Sequence, residues 1–321
     1  MPKILVTEPL PGSSVDELAK KYDVTIAERG SCYSEAALIE KISEYEGLLS
    51  LLSNPVSERV LNSAPNLKIV ANCAVGYNNI DVDTAENLGI RVANTPDVLT
   101  DATADLTLAL ILSVTRRLRE AEDYLREGKF DEWMPKGFLG FELSGSRIGI
   151  VGLGRIGKAV AKRARAFGME VGYFSRNRAN PETEQELKAN FFNSADDLAE
   201  WADILSVHCP LNESSHHLIN QTTLRKLGSE GYLINTARGP VVDEATLANA
   251  LHNGIIAGAG IDVFEKEPEV HPDLYTAPNA VLLPHIGSAT HKTRTRMVEL
   301  ATSAIDGVLQ GKPESIDNLI I

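Results

Sequence analysis

The segment IVGLGRIGKAVA sets Gly152, Gly154 and Gly157 in the G-x-G-x-x-G spacing, directly behind the apolar run RIGIV and directly ahead of the helical run KAVAKRARAFG. That order constrains the fold strongly. The first glycine makes a tight turn, the second lets backbone approach a ligand, and the third lets helix lie on strand, while the helix N-terminus attracts an anion. The spacing alone is common, and an ordinary glycine turn would also produce it. The strand-loop-helix setting points instead to a dinucleotide pyrophosphate, with Gly152, Leu153, Gly154, Arg155, Ile156 and Gly157 as candidate cofactor-binding residues.

The same rhythm runs through the rest of the chain. Short apolar runs (KILVTE, VTIA, GLLSLLS, LKIVANCA, IRVANTP) alternate with amphipathic ones (SVDELAKKY, EAALIEKIS, SERVLNSA, VDTAENLG), which is the βαβ signature of a parallel sheet. Asp101 stands where an N-cap would open one long helix, ATADLTLALILSVTRRLREAEDYLREG, a candidate connection between domains. The mixed charge of its second half reads as a solvated helix face. Six further strand-like runs follow in RIGIVGLG, MEVGYFS, ADILSVHCP, GYLINTARG, IIAGAGIDVF and AVLLPHIG, predicting a second parallel sheet. The last amphipathic stretch, KTRTRMVELATSAIDGVLQG, has no following strand and is expected to pack back on the first domain. A length of 321 residues with 43% hydrophobic content suits two such domains.

Composition narrows the partners. With 31 basic and 44 acidic side chains the net charge is −13, which argues against nucleic acid or an anionic membrane as a partner of the bulk surface, though a small anion can still find a basic pocket. Cys32, Cys73 and Cys209 form no CxxC pair, so neither a disulfide framework nor a zinc knuckle is expected. His216 and His217 are adjacent, and neighbours generally point apart. With no HExxH spacing, no metal is expected. No run of apolar residues is long enough to span a bilayer, and no secretory h-region opens the chain. A soluble cytoplasmic protein is the expectation.

Two features carry chemistry. MEVGYFSRNRAN places Ser175, Arg176, Asn177 and Arg178 at the end of the next strand, where NAD-binding proteins carry a carboxylate for the ribose 2′-hydroxyl. A 2′-phosphate would repel that acid and favour an arginine fork, although a basic solvated loop would read the same way. Further on, Arg238 in NTARG, Glu267 in FEKEP and His285 in LLPHIG stand near the ends of consecutive strand-like runs. Together they could reduce a carbonyl beside a carboxylate. The arginine would grip the carboxylate and polarise the carbonyl, the histidine would give a proton, and the glutamate would orient the imidazole. Spacing alone does not separate Glu267 from Glu265 and Glu269, nor His285 from a histidine in a simple loop.

These motifs, with NCAVGYNNIDVDTAENLGIRVANTPDVLTDATAD, VHCPLNESSHHLIN and GAGIDVFEKEP, occur in one order almost end to end, and the chain resembles the D-isomer-specific 2-hydroxyacid dehydrogenases, most of all their glyoxylate/hydroxypyruvate reductase branch. The resemblance implies an α/β fold of two domains, a Rossmann cofactor domain over residues 100–286 inserted in a flavodoxin-like substrate domain made of residues 1–99 and 287–321. It implies Arg238 as the substrate arginine, Glu267 as the supporting acid and His285 as the proton donor. Asp262 would lie near the nicotinamide carboxamide, Val75 and Gly76 would offer backbone N–H groups to the substrate carboxylate, and Pro210, Thr236, Ala237 and Gly287 would touch the cofactor.

Leu52 and Trp133 resemble apolar pocket walls, which suits small 2-oxo acids. Relatives are dimers, with the EGKFDEWMPKGF segment reaching the partner, so Trp133 would border the neighbouring site or simply pack in the interface. The resulting expectation is a homodimeric NADPH-preferring reductase of glyoxylate and hydroxypyruvate, with NAD(H) possible. The alternatives are an NAD-dependent D-lactate-like or phosphoglycerate-type dehydrogenase and, in another class, a dinucleotide-sensing corepressor.

Overall fold

Short apolar runs buried at every position, such as Gly47–Ser50, Ile69–Asn72 and Ile204–Val207, give strands that are covered on both faces, as parallel sheets require. In the computed structural model, which describes residues 1–321, Met1–Leu99 and Ser288–Ile321 form one unit and Thr100–Gly287 another. The first unit begins β1 (Lys3–Val6), α1 (Ser14–Ala19), β2 (Asp23–Ile26), α2 (Glu35–Ile42), β3 (Gly47–Ser50), α3 (Glu58–Asn62), β4 (Ile69–Asn72), α4 (Val82–Asn87), β5 (Arg91–Ala93). Its sheet is wholly parallel in the order β2-β1-β3-β4-β5. This is the flavodoxin-like winding. Leu5, Leu48, Val70 and Val92 pack into one face, and Ile4, Leu49, Ile69 and Ala93 into the other.

The second unit runs α5 (Thr100–Thr115), α6 (Leu118–Arg126), β6 (Arg147–Val151), α7 (Arg155–Ala166), β7 (Glu170–Phe174), α8 (Pro181–Leu187), β8 (Ala189–Phe191), α9 (Ala195–Trp201), β9 (Ile204–Val207), α10 (Gln221–Leu227), β10 (Tyr232–Asn235), α11 (Glu244–His252), β11 (Gly258–Ile261) and β12 (Ala280–Leu282). Its parallel sheet is ordered β12-β11-β10-β9-β6-β7-β8. The winding reverses between β6 and β9, the Rossmann switch point where ligands sit outside the strands' carboxyl ends. The α/β class and both sheets expected from sequence are present. One strand escaped the sequence reading: β8 pairs with β7 at the edge.

The long helix expected from Asp101 onward is two helices. Arg117 adopts a left-handed conformation (φ 52°) that closes α5, and Phe141 N–H takes the Thr115 carbonyl at 2.8 Å. Asp101 is not an N-cap. It lies in the first turn of α5 and accepts from Arg163 of α7 at 3.0 Å, as Asp105 does one turn on at 2.7 Å. The last α-helix is α12 (His291–Leu309), whose Val298, Ala301, Ala304 and Ile305 complete a core of the first unit with Ile4, Val6 and Leu49. No helix is long and apolar enough to cross a membrane.

Candidate functional site

The glycine loop leaves β6 at the switch point, and each glycine is needed for its own reason. Gly152 has φ +97°, and a Cβ there would meet the Cys209 backbone nitrogen at 2.6 Å, so the turn presses against the chain leaving β9. A Cβ on Gly157 would run into the Gly152 carbonyl oxygen, whereas one on Gly154 would meet nothing within 4 Å. The middle glycine thus faces open space where a ligand can come close to backbone. Most helices here carry a side-chain N-cap, for instance Ser34, Asp81, Asn180, Ser194 and Asp243. α7 starts at Arg155 and Ile156 with Gly154 as N-cap, no side-chain cap and no acid in its first turn. No side chain caps its positive dipole end, so the residues fit a dinucleotide pyrophosphate.

The turn after β7 divides its polar groups. Ser175 Oγ accepts from Leu153 N–H at 2.8 Å, tying the turn to the glycine loop. Arg176 and Asn177 are exposed. Arg178 instead forms a fork on Glu184, with Nε and Nη2 both at 2.9 Å from the carboxylate oxygens. No carboxylate replaces the expected acid at the strand end itself. Pro210 is exposed after β9 and its carbonyl accepts from Ser215 Oγ at 2.7 Å. Thr236 is buried with its hydroxyl 3.0 Å from that of Thr107, and Ala237 N–H donates to Asn235 Oδ1 at 3.0 Å.

Arg238, Glu267 and His285 all belong to the second unit, near the carboxyl ends of β10, β11 and β12. His285 Nδ1 and Glu267 Oε2 are 2.8 Å apart. Burial pushes the Glu267 carboxyl up, but hydrogen bonds from His285 and Phe264 N–H, together with the charges of His285 and Arg238, outweigh it and leave it below the ordinary carboxylate value. The ionised acid therefore takes the Nδ1 proton and leaves Nε2 without a partner in the chain. Burial pulls the Arg238 guanidinium down from its usual value against the opposing pull of Glu267, and its Nη1 donates to the Ala237 carbonyl at 2.6 Å.

His285 has φ 53°, a left-handed conformation that costs energy for most residues. Asp262 supplies the restraint. Its carbonyl takes His285 N–H at 2.9 Å and its carboxylate takes Ile286 and Gly287 N–H at 2.7 and 2.8 Å. Burial nevertheless leads and raises the Asp262 carboxyl.

The loop bearing Glu267 is held by residues the sequence reading did not select. Buried Glu244 accepts from Glu265 N–H and His271 N–H, both at 2.7 Å, while Glu265 Oε1 accepts from Glu244 N–H at 3.0 Å and lies 2.7 Å from His217 Nε2. His217 thus pairs with an acid, its ring stacked on His216 with centroids 4.1 Å apart, and no group of three metal-ligating side chains forms around them. Glu244→Gln would offer one acceptor and an amide donor to two N–H groups. An unsatisfied buried donor costs about 1–3 kcal/mol, so we expect a lower Tm, and a kcat reduced about tenfold through displacement of Glu267, with KM nearly unchanged. Thermal melts and steady-state kinetics on the one preparation test this.

In the first unit, asparagines shape the loops that hold Leu52, Val75 and Gly76. Asn94 Nδ2 donates to the Val75 carbonyl and Asn72 Nδ2 to the Gly76 carbonyl, each at 2.8 Å. Asn79 donates to the Leu51 and Asn54 carbonyls at 3.0 Å. The carbonyls being claimed, the partly exposed Val75 and Gly76 keep N–H groups that donate to nothing in the chain. Leu52 is partly exposed in the neighbouring loop. The repeated asparagines of NCAVGYNNI were the sequence signal for this scaffold. Trp133 lies in the second unit at 79% exposure.

Comparison with known proteins shows the family. Residues 108–287 match the family model described as D-isomer specific 2-hydroxyacid dehydrogenase, NAD binding domain. A glyoxylate reductase from Thermococcus litoralis is 43% identical over 315 residues, which covers 97% of this chain and 95% of that protein. One from Pyrococcus horikoshii is 42% identical over 315 residues, covering 97% and 94%. Among solved structures, an NADPH-dependent glyoxylate/hydroxypyruvate reductase from Sinorhizobium meliloti, in complex with NADP and malonate, has a TM-score of 0.86 at 36% identity and covers 96% of this chain and 93% of that one.

Proposed function

The chain belongs to the D-isomer-specific 2-hydroxyacid dehydrogenase family, and from that premise we propose that it is an NADPH-preferring reductase of glyoxylate and hydroxypyruvate, working as a cytoplasmic homodimer. The observation that carries the chemistry is the Glu267–His285 pair with Nε2 unpartnered, in the same unit as Arg238. The bound dinucleotide supplies the hydride. Arg238 grips the substrate carboxylate with two parallel hydrogen bonds and polarises the adjacent carbonyl. His285 passes the Nε2 proton to the carbonyl oxygen as charge develops there, and Glu267 steadies the imidazolium. Within the first unit, the N–H groups of Val75 and Gly76 that donate to nothing in the chain suit an anion such as a carboxylate, beside the apolar Leu52. Asp262 acts on the cofactor end chiefly by fixing the turn after His285.

NADPH preference is supported by exposed Arg176 at a strand end that lacks an acid, and by the NADPH dependence of the Sinorhizobium protein. Dimerisation is supported by α6, which buries none of its residues, and by exposed Leu118, Leu125, Phe130, Trp133 and Leu139 around it.

The deciding measurement is kcat/KM for glyoxylate, hydroxypyruvate, pyruvate and phosphohydroxypyruvate, each with NADPH and NADH. Highest values with glyoxylate or hydroxypyruvate and NADPH are expected, and preference for pyruvate or phosphohydroxypyruvate with NADH would reject the reading. Arg176→Ala should raise KM for NADPH about tenfold or more, the loss of one charge-assisted hydrogen bond, and leave KM for NADH within about twofold.

A further inference from the structure

We propose that Glu184 sets how strongly the cofactor site favours a 2′-phosphate, by holding Arg178 away from it. The inference rests on reading the Ser175–Arg178 turn as the ribose end of the dinucleotide site. That turn carries two arginines, and the fold sends them different ways. β7 lies between β6 and β8. Ser175 reaches toward β6 through its bond to Leu153, while the Arg178 guanidinium lies 5.5 Å above the ring of Phe191 in β8. Arg176 is exposed with no ion pair, so it alone is ready to meet a phosphate.

An exposed ion pair by itself does little. This one has a third anchor. Tyr173 is fully buried, and its hydroxyl donates to Glu184 Oε1 at 2.6 Å while accepting from Ala179 N–H at 2.9 Å. The carboxylate is thereby fixed at the start of α8 in the orientation that receives both arms of Arg178. Hydrogen bonds from Arg178 and then Tyr173 hold its carboxyl down at about 2, so it is an anion across the working pH range. One effect follows for a 2′-phosphate, which carries nearly two negative charges: Glu184 takes away one of two possible arginine forks. A cofactor with a 2′-hydroxyl feels little of it. Glu184 is therefore a specificity-determining residue that moderates the preference for the phosphorylated cofactor.

The test is calorimetric titration of the full-length protein with 2′,5′-ADP and 5′-AMP, which present the same adenosine with and without the 2′-phosphate. Glu184→Gln keeps an acceptor for the Tyr173 hydroxyl, so the fold should persist. It is expected to tighten 2′,5′-ADP about three- to tenfold and leave 5′-AMP within about twofold. Adding Arg178→Ala should abolish that gain. Arg178→Ala alone should change 2′,5′-ADP affinity by less than about twofold, whereas Arg176→Ala weakens it strongly. The proposal is overturned if Arg178→Ala alone weakens 2′,5′-ADP as much as Arg176→Ala does, if Glu184→Gln changes nothing, or if its gain survives loss of Arg178. A wild-type protein that binds both nucleotides equally, with Arg176→Ala neutral, would reject the NADPH reading separately. The Glu184 and Arg178 contrast decides the proposal in that case too.

Discussion

His285→Ala is expected to lower kcat for 2-oxo acid reduction by about 10²- to 10⁴-fold, the contribution of a positioned general acid, while KM for the acid changes by only a few-fold. The geometry leaves no substitute donor. Nδ1 faces Glu267 at 2.8 Å, and Nε2 is the one position on the ring free to serve the substrate. Glu267→Gln should cost less, about tenfold to a hundredfold, because the amide can still hold Nδ1 but no longer brings the carboxylate's charge to it. The same pair makes stability depend on pH. The folded Glu267 carboxyl titrates below its ordinary value of 4.5, so its pairing stabilises the fold above that pH and is lost as pH falls through the lower folded value. Near-normal turnover of His285→Ala would remove histidine from the role of proton donor.

What the sequence made legible is what short-range patterns encode. Gly152, Gly154 and Gly157 announce their turn because steric demand on a loop is local, and the apolar runs announce strands because the central ones are buried on both faces. Arg238, Glu267 and His285 could be singled out because strand ends in a Rossmann sheet converge on one edge. The missing parts are set by partners that no local pattern marks. Asp101 reads as a cap, yet Arg163 takes it. Arg178 reads as half of a phosphate site, yet Glu184, six residues on, takes it with help from a buried tyrosine. The break after Thr115 depends on a chain that returns at Phe141 to claim a carbonyl. Glu244 looks like one more surface acid in VVDEATLANAL, and only the folded loop shows its two oxygens receiving N–H groups from Glu265 and His271.

Gly239→Ala is expected to be the most damaging single-methyl change in the protein. A Cβ at this position would fall within the van der Waals shells of the Phe264 carbonyl carbon and oxygen and the Glu265 nitrogen. All three are backbone atoms, so no rotamer can relieve the collision. The turn carrying Arg238 and the loop carrying Glu267 must separate, and both sides are already fastened: Asn235 Nδ2 holds the Arg238 carbonyl at 3.0 Å, and Glu244 holds Glu265 N–H. Overpacking of this kind costs about 1–3 kcal/mol and sometimes more, which predicts a Tm lower by several degrees. The kinetic loss should be larger than the stability loss suggests, because a shift of about 1 Å in a catalytic group can cost about a hundredfold in rate. We therefore expect soluble, folded Gly239→Ala protein whose kcat/KM is reduced at least about a hundredfold. Dinucleotide binding, measured separately by titration, should be nearly intact because the glycine loop after β6 is untouched. Full activity in this variant would mean that the Arg238 turn and the Glu267 loop do not need their backbone contact, and the assignment of both residues to one catalytic group would fall with it.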